Sequence, residues 1–250
     1  MQAYLTLTRR ELGGYFLSLT GYIVIAATVF LMGFSFVAIL RGLQGIPTPM
    51  PATELFFVTQ FFWLILLVPT PVITMRLFAL EKATGTFETL MTTPVSDLQV
   101  VLAKFTASLI LYIVMWLPLL GYIFILRYYT AGGTPLDGGA LGSTFLGIAL
   151  LGCLFLAAGC CASAMTRSQV TAAMTSLAFG IGFFILSILA GQFTSDSSWQ
   201  AQALACFALS DQMHDFSRGL VDTRSVILLL SLTLLLLFLT LRIVESRRWK

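Results

Sequence analysis

Residue types that usually carry metal or redox chemistry are scarce in this sequence. The chain has one histidine, His214, and four cysteines, Cys153, Cys160, Cys161 and Cys206. A histidine-based metal or catalytic cluster needs more than one copy, and the cysteines lack the C-x-x-C spacing of zinc and thiol-disulfide sites. The sequence therefore predicts a chain that is not an enzyme and holds no metal, in which the cysteines are small packing residues.

Motifs that position a nucleophile or a nucleotide are also missing. The sequence contains no G-x-S-x-G turn, no H-E-x-x-H pair and no G-x-x-x-x-G-K-[ST] loop. Nucleotide phosphates therefore have no usual cradle in this chain, and any ATP must be bound by a partner.

The composition indicates a bilayer rather than water as the solvent. Of the 250 residues, 58% are hydrophobic and only 10% are charged, too few to cover a soluble domain of this length. The net charge of +3 is scattered along the chain and forms no basic stripe, which excludes nucleic acid as a partner.

Long uncharged runs predict an all-α polytopic membrane protein. A spanning helix needs about 20 apolar residues, and the backbone in lipid must satisfy its own hydrogen bonds. Residues 1–19 precede the first span and have the pattern of an interfacial helix, the alternative being one long tilted first span. Since only Arg167 separates the fourth and fifth spans, these should form a tight hairpin. The six predicted spans are 21–40, 55–75, 105–126, 142–166, 168–193 and 225–241.

Basic residues predict the orientation of these spans. Arg9, Arg10, Arg167 and most other lysines and arginines, in segments 76–104 and 242–250, fall on one side. Because loops rich in lysine and arginine stay in the cytoplasm, both termini should be cytoplasmic.

The predicted spans carry no ionisable side chain, which argues against a proton-coupled carrier. A sodium-coupled carrier using backbone carbonyls stays as an alternative. Pro69 and Pro71 should kink the second span, either as a flexible joint or as a kink tolerated by packing. Uncharged spans suit a lipid, a lipid-linked polymer, a peptide or an amphipathic drug as substrate. The polar pathway candidates in the first two spans are Thr28, Ser35, Thr59, Gln60, Thr70 and Thr74.

The long connection between the second and third spans has the pattern of a short amphipathic helix. Phe87, Leu90 and Met91 recur at helical spacing, Pro94 stops the helix, and Ser96 with Asp97 should cap the next one. Such an element is well placed to pass force from a docked protein to the spans. The alternative is a solvated connector whose charges only mark membrane sidedness.

Two stretches resemble a known family. The run E-K-A-T-G-T-F-E-T-L at 81–90 with T-P-V-S at 93–96 is similar to the coupling loop of type-2 ATP-binding-cassette (ABC) permeases. The run D-F-S-R-G-L-V-D-T-R at 215–224 and the closing E-S-R-R-W at 245–249 resemble the branch that includes the gliding-motility-associated permease. The resemblance implies six spans, an interfacial helix, a cytoplasmic coupling helix within 81–97, and short external helices within 196–224.

The resemblance also implies partners and a role. The chain would be the permease subunit of a bacterial inner-membrane exporter, paired with a second copy (a homodimer is favoured) or a close relative. Two ATPase subunits would bind ATP and magnesium and dock on the coupling loop. The alternative is a membrane scaffold that anchors a secretion or motility apparatus without transport. The residues implied in docking are Glu81, Lys82, Gly85, Thr86, Phe87, Glu88, Leu90, Met91 and Pro94.

The connection between the fifth and sixth spans, 196–224, is too polar to cross lipid and too rich in apolar residues for a free linker. In the resembling permeases this region dips into the membrane and closes the outward end of the pathway. The alternative is a set of ordinary helix caps and interfacial charges. The gate candidates are Asp211, His214, Asp215, Arg218, Asp222 and Arg224.

Overall fold

The computed structural model describes residues 2–42, 54, 56, 59–87, 95–129, 138–192 and 207–246. Within these ranges the chain is all-helical, and six helical segments are long and apolar enough to cross a membrane. This confirms the predicted all-α polytopic fold.

Eleven helices are described along the chain. The first is α1 (Gln2–Phe16), and α2 (Leu19–Gly42) is the first span. The others are α3 (Gln60–Leu67), α4 (Pro69–Thr74), α5 (Ala79–Thr84), α6 (Asp97–Trp116), α7 (Pro118–Tyr129), α8 (Gly138–Met165), α9 (Gln169–Gln192), α10 (Leu209–Ser217) and α11 (Thr223–Ser246).

The third span begins in a longer helix than the uncharged run alone indicated. The helix α6 begins at Asp97, so Lys104, which precedes the predicted span 105–126, lies within the helix. Ser96 is the N-cap, and its side chain accepts a hydrogen bond from the Gln99 backbone N–H, which confirms the predicted cap. The helix is interrupted at Leu117, just before Pro118.

The second span is interrupted at Val68, between α3 and α4. Pro69 and Pro71 have no N–H to donate to the preceding turn. The Thr70 hydroxyl donates instead to the Leu66 carbonyl oxygen at 2.7 Å. The predicted kink site thus coincides with a break between two helices.

The helix α8 is the central element of the bundle. It packs against α4, α6, α9, α10 and α11, and most of its side chains are buried. Two glycines allow close approach, because a Cβ at Gly159 would lie 2.6 Å from Thr74 Cβ, and one at Gly152 would lie 2.6 Å from Tyr112 Cζ. The helix α9 begins at Gln169 and packs back on α8, as the predicted hairpin requires.

The bundle has two polar ends, named here by their most buried charges. At the Lys104 end, α1 packs on α6, and the Tyr4 hydroxyl lies 3.0 Å from Thr106 Oγ1. At the Glu54 end, α10 packs on α8 and α9. Large apolar side chains of α2, α9 and α11 are exposed between the ends, as on a lipid-facing surface, and include Phe30, Ile181 and Leu234.

Candidate functional site

A serine of α8 fixes the start of α5 at the Lys104 end. The Ser163 hydroxyl oxygen accepts hydrogen bonds from the backbone N–H groups of Phe78 and Ala79, both at 3.1 Å. The first N–H groups of a helix have no partner within the helix, and Phe78 at the N-cap supplies no side-chain acceptor. A residue of the fourth span therefore caps the helix that follows the second span.

The other end of α5 is closed by Lys82 and Gly85. The Lys82 ammonium donates to the Ala164 carbonyl oxygen at the end of α8 and lies 5.3 Å from the centroid of the Phe87 ring. Gly85 has a φ of 74°, a left-handed conformation that favours glycine and ends the helix. Phe87 is buried against this lysine.

The predicted docking residues are thus only partly described. Thr86 follows the turn, and its hydroxyl lies 2.9 Å from that of Thr84. Within the segment 75–87, the short helix α5 is held against α8, and the buried side chain of Phe87 follows its end. The remaining predicted docking residues, Glu88, Leu90, Met91 and Pro94, lie outside the described residues.

A buried lysine joins three elements at this end. The Lys104 ammonium on α6 lies 2.7 Å from Glu81 Oε1 on α5 and 2.9 Å from Glu11 Oε1 on α1. Lys104 is 2% exposed, and its ammonium also lies 5.5 Å from the centroid of the Phe78 ring. Any displacement of α5 must therefore move α1 and α6 or separate buried charges.

This cluster of Glu11, Glu81 and Lys104 has two acids for one base. Among the described residues, Glu81 Oε2 is buried without a hydrogen-bond partner. Burying a carboxylate oxygen without a hydrogen-bond donor costs free energy. The cluster therefore holds α5 against α1 and α6 although its negative charge exceeds its positive charge.

Four of the pathway candidates, Thr28, Ser35, Thr70 and Thr74, are buried inside the bundle, and most of their hydroxyls bond to their own helices. Thr28, Thr70 and Thr74 each donate to the carbonyl oxygen four residues earlier. Two pairs of hydroxyls meet across elements: Ser35 Oγ lies 3.3 Å from Thr59 Oγ1, and Thr74 Oγ1 lies 3.5 Å from Ser176 Oγ on α9. Gln60 begins α3, and its side chain is not described. A role for these residues in a pathway stays a prediction.

The gate candidates separate into two groups at the Glu54 end. His214 and Arg218, one turn apart on and just after α10, both contact the carboxylate of Glu54. The others lie at the surface or beside the turn, where Asp222 Oδ1 accepts from the Arg224 N–H at 2.9 Å. Asp211 is exposed and Asp215 is half-buried.

Glu54 is the functional candidate that sequence reasoning missed. Its side chain is 1% exposed, and Arg218 binds both oxygens, with Nε 3.2 Å from Oε2 and Nη2 2.9 Å from Oε1. His214 Nε2 lies 2.6 Å from Oε1, and it donates because an ionised carboxylate only accepts. The sequence signal was an acid next to an uncharged run, together with two basic residues at an i, i+4 spacing.

The Arg218 hydrogen bond lowers the pKa of the Glu54 carboxyl below its usual value, against the raising effect of burial. The same bond raises the pKa of Arg218. Because folding lowers the pKa of Glu54, its ion pair stabilises the folded chain above the usual carboxyl range. That stabilisation is lost as the pH falls through the lowered pKa.

These features define a multi-pass α-helical membrane protein with buried ion clusters at both ends. Residues 55–243 match the family described as ABC-2 family transporter protein, and the chain therefore belongs to that family. It is accordingly a permease subunit of an ABC transporter, the kind of subunit that works with an ABC ATPase. The match is to the family as a whole, and the gliding-motility branch is not confirmed. No curated protein matches the chain.

Proposed function

We propose that this permease is moved by a separate ATPase that docks on the segment after α5, and that it exports its substrate. The observation that carries the proposal is the attachment of α5 to α8 through Ser163 and to α1 and α6 through Lys104. A force applied beyond Phe87 would reach three helices of the bundle through these contacts. This chain performs no chemistry, and ATP with magnesium is bound by the ATPase.

The proposed complex has two permease copies and two ATPase subunits in a bacterial inner membrane. A homodimer is favoured because nothing in the chain looks degenerate. Both termini and the Lys104 end face the cytoplasm, as the distribution of basic residues favours. The Glu54 end then faces outward, with α10 over the exit of the pathway.

The uncharged stretches of the spans between the two polar ends favour an amphipathic substrate, such as a lipid, a lipid-linked polymer or a peptide. The meeting of Ser35 and Thr59 across two helices offers hydroxyl groups near the Glu54 end. The described hydroxyls would act as weak polar contacts rather than as charged binding groups.

Purification of the subunit in mild detergent tests the proposed partnership. We expect a soluble ABC ATPase to copurify and to hydrolyse ATP faster with the permease than alone. Copurification of a surface apparatus without any ATPase would instead support a membrane scaffold.

The double variant Glu88→Ala/Leu90→Ala tests the docking site. Truncating an interface anchor costs about 2 kcal/mol or more, so we expect about thirtyfold weaker ATPase binding and loss of the permease stimulation of ATP hydrolysis. Titration of the ATPase onto the detergent-solubilised permease measures the affinity. The matched control is Glu245→Ala/Leu239→Ala, which removes the same residue types from α11, where Leu239 is exposed and Glu245 is half-buried beside Arg242. Affinities of both double variants equal to that of the unchanged chain would exclude docking at this loop.

A further inference from the structure

The helix α10 is fixed on one side by uncharged contacts. The Ser143 hydroxyl on α8 donates to the Phe216 carbonyl oxygen at 2.6 Å, and the Ser210 N–H donates to the Ser187 hydroxyl oxygen on α9 at 3.1 Å. Gly147 allows α10 to pack closely on α8, because a Cβ at this position would lie 3.0 Å from Phe216 Cβ. These contacts make α10 move with α8 and α9.

The other side of α10 contacts Glu54 through the charged side chains of His214 and Arg218. Glu54 lies just ahead of the second span, above a buried aromatic layer in which the Phe56 ring centroid is 6.3 Å from those of Phe62 and Trp116. The three described polar contacts from His214 and Arg218 to this carboxylate therefore bridge α8 and α9 to the start of the second span.

We propose that Glu54 is a latch, a positioning residue whose pairing with His214 and Arg218 holds the Glu54 end closed and breaks each time that end opens. The proposal rests on the proposed function, because it assumes that ATP drives the opening.

The exposure of the partners favours a reversible contact over a permanent one. The side chains of His214 and Arg218 are 39% and 48% exposed, whereas that of Glu54 is 1% exposed. The two bases already have access to water when they leave the carboxylate, but Glu54 must be hydrated when it is released. Separation therefore requires water to enter above the aromatic layer, which is what opening of this end would do.

The test is labelling of a cysteine placed behind the latch by Thr59→Cys, in a chain that also carries Cys206→Ser. The permease is assembled with its ATPase in lipid nanodiscs and treated with a charged, membrane-impermeant maleimide. The chain without Thr59→Cys measures labelling of the three cysteines in α8. Thr59 is half-buried and donates to the Phe56 carbonyl oxygen, so its labelling reports access to the region below Glu54.

Without ATP, we expect Glu54→Gln to raise the labelling rate about tenfold by shifting the population towards the open state. Arg218→Gln, at an exposed position, should raise it in the same direction and less, because His214 is retained. The double variant should label no faster than Glu54→Gln, since both changes break one contact. The control Glu245→Gln removes one carboxylate of an exposed ion pair with Arg242 at the other end and should leave the rate unchanged.

With ATP and magnesium, the chain without latch variants should label faster, and Glu54→Gln should gain little more. If the ATPase binds and ATP speeds labelling but both single latch variants match the control, the latch is refuted while the proposed function stands. If no ATPase binds, the proposed function fails, and the labelling rates without ATP still decide whether Glu54 holds this end closed. If Glu54→Gln fails to assemble, the labelling rate of Arg218→Gln relative to the control tests the latch instead.

Discussion

Replacing Lys104 by methionine should lower the free energy of unfolding by about 3–5 kcal/mol, the cost of removing one partner from a buried ion pair. Methionine is unbranched and only one heavy atom shorter than lysine, so little of the loss would come from a cavity. The loss arises because Glu11 and Glu81 would keep their negative charges close together without the cation that now lies between them.

Unfolding of the detergent-solubilised subunit by heat or denaturant, followed by circular dichroism, measures this effect. The control is Arg242→Met, which breaks an exposed ion pair with Glu245 and should cost about 0–1 kcal/mol. Adding Glu11→Gln and Glu81→Gln to Lys104→Met should recover part of the stability, since neutral side chains would replace the unpaired charges. Similar losses for Lys104→Met and Arg242→Met would show that the buried cluster does not stabilise the bundle.

The second large effect is expected at the contact between the fourth and second spans. Gly159→Ala would place a Cβ 2.6 Å from Thr74 Cβ. This distance is too short for two carbon atoms that are not bonded to each other or to a common atom. Both residues lie on helices, so neither can rotate away, and α4 and α8 must separate. Overpacking of this kind costs about 1–3 kcal/mol, and more where backbones must shift. The loss of stability should be accompanied by weaker ATPase binding, because Thr74 is the last residue of α4 and α5 begins five residues later.

Gly142→Ala is the matched control, because it is on the same helix and a Cβ there would have no neighbour within 4 Å. Alanine is the better helix former, so this control should be neutral or stabilising by up to about 1 kcal/mol. Thermal unfolding of both variants in the same detergent gives the comparison. A midpoint for Gly159→Ala equal to that of Gly142→Ala would mean that the two helices have room to spare at this contact.

The six spans can be predicted from the sequence, because a helix that crosses the hydrocarbon core needs about 20 apolar residues and few other structural elements have apolar runs of that length. The Ser96 cap also follows from sequence, since capping depends on residues within one turn. The start of the third span is less easily read from charges, because α6 carries Lys104 within it. A span predicted from a run without charged residues ends at the first charge. It therefore leaves out a helical residue such as Lys104, whose charge is buried inside the bundle.

The ion clusters could not be predicted because their members are distant in sequence. Glu11 and Lys104 are 93 residues apart, and Glu54 and Arg218 are 164 apart. Each residue taken alone has the bland interpretation of an interfacial charge at the end of a span. Only the packing of α1 on α6, and of α10 on α8, makes them partners.

Two of the predicted docking residues likewise have partners within the chain that could not be predicted from the sequence. The family resemblance placed Glu81 and Lys82 among the residues that contact the ATPase. In the structure, Glu81 pairs with Lys104, and Lys82 donates to Ala164. Their described contacts thus hold α5 on the bundle, and docking by these two residues stays a prediction.

The capping of α5 by Ser163 makes the order of synthesis matter. Phe78 leaves the ribosome 85 residues before the serine that accepts its N–H. Until the fourth span has been inserted, the start of α5 lacks its acceptor, and Lys82 lacks the Ala164 carbonyl oxygen. The segment on which the ATPase is proposed to dock is therefore complete only in a chain whose fourth span has been inserted, so docking there would select finished subunits over nascent or truncated ones.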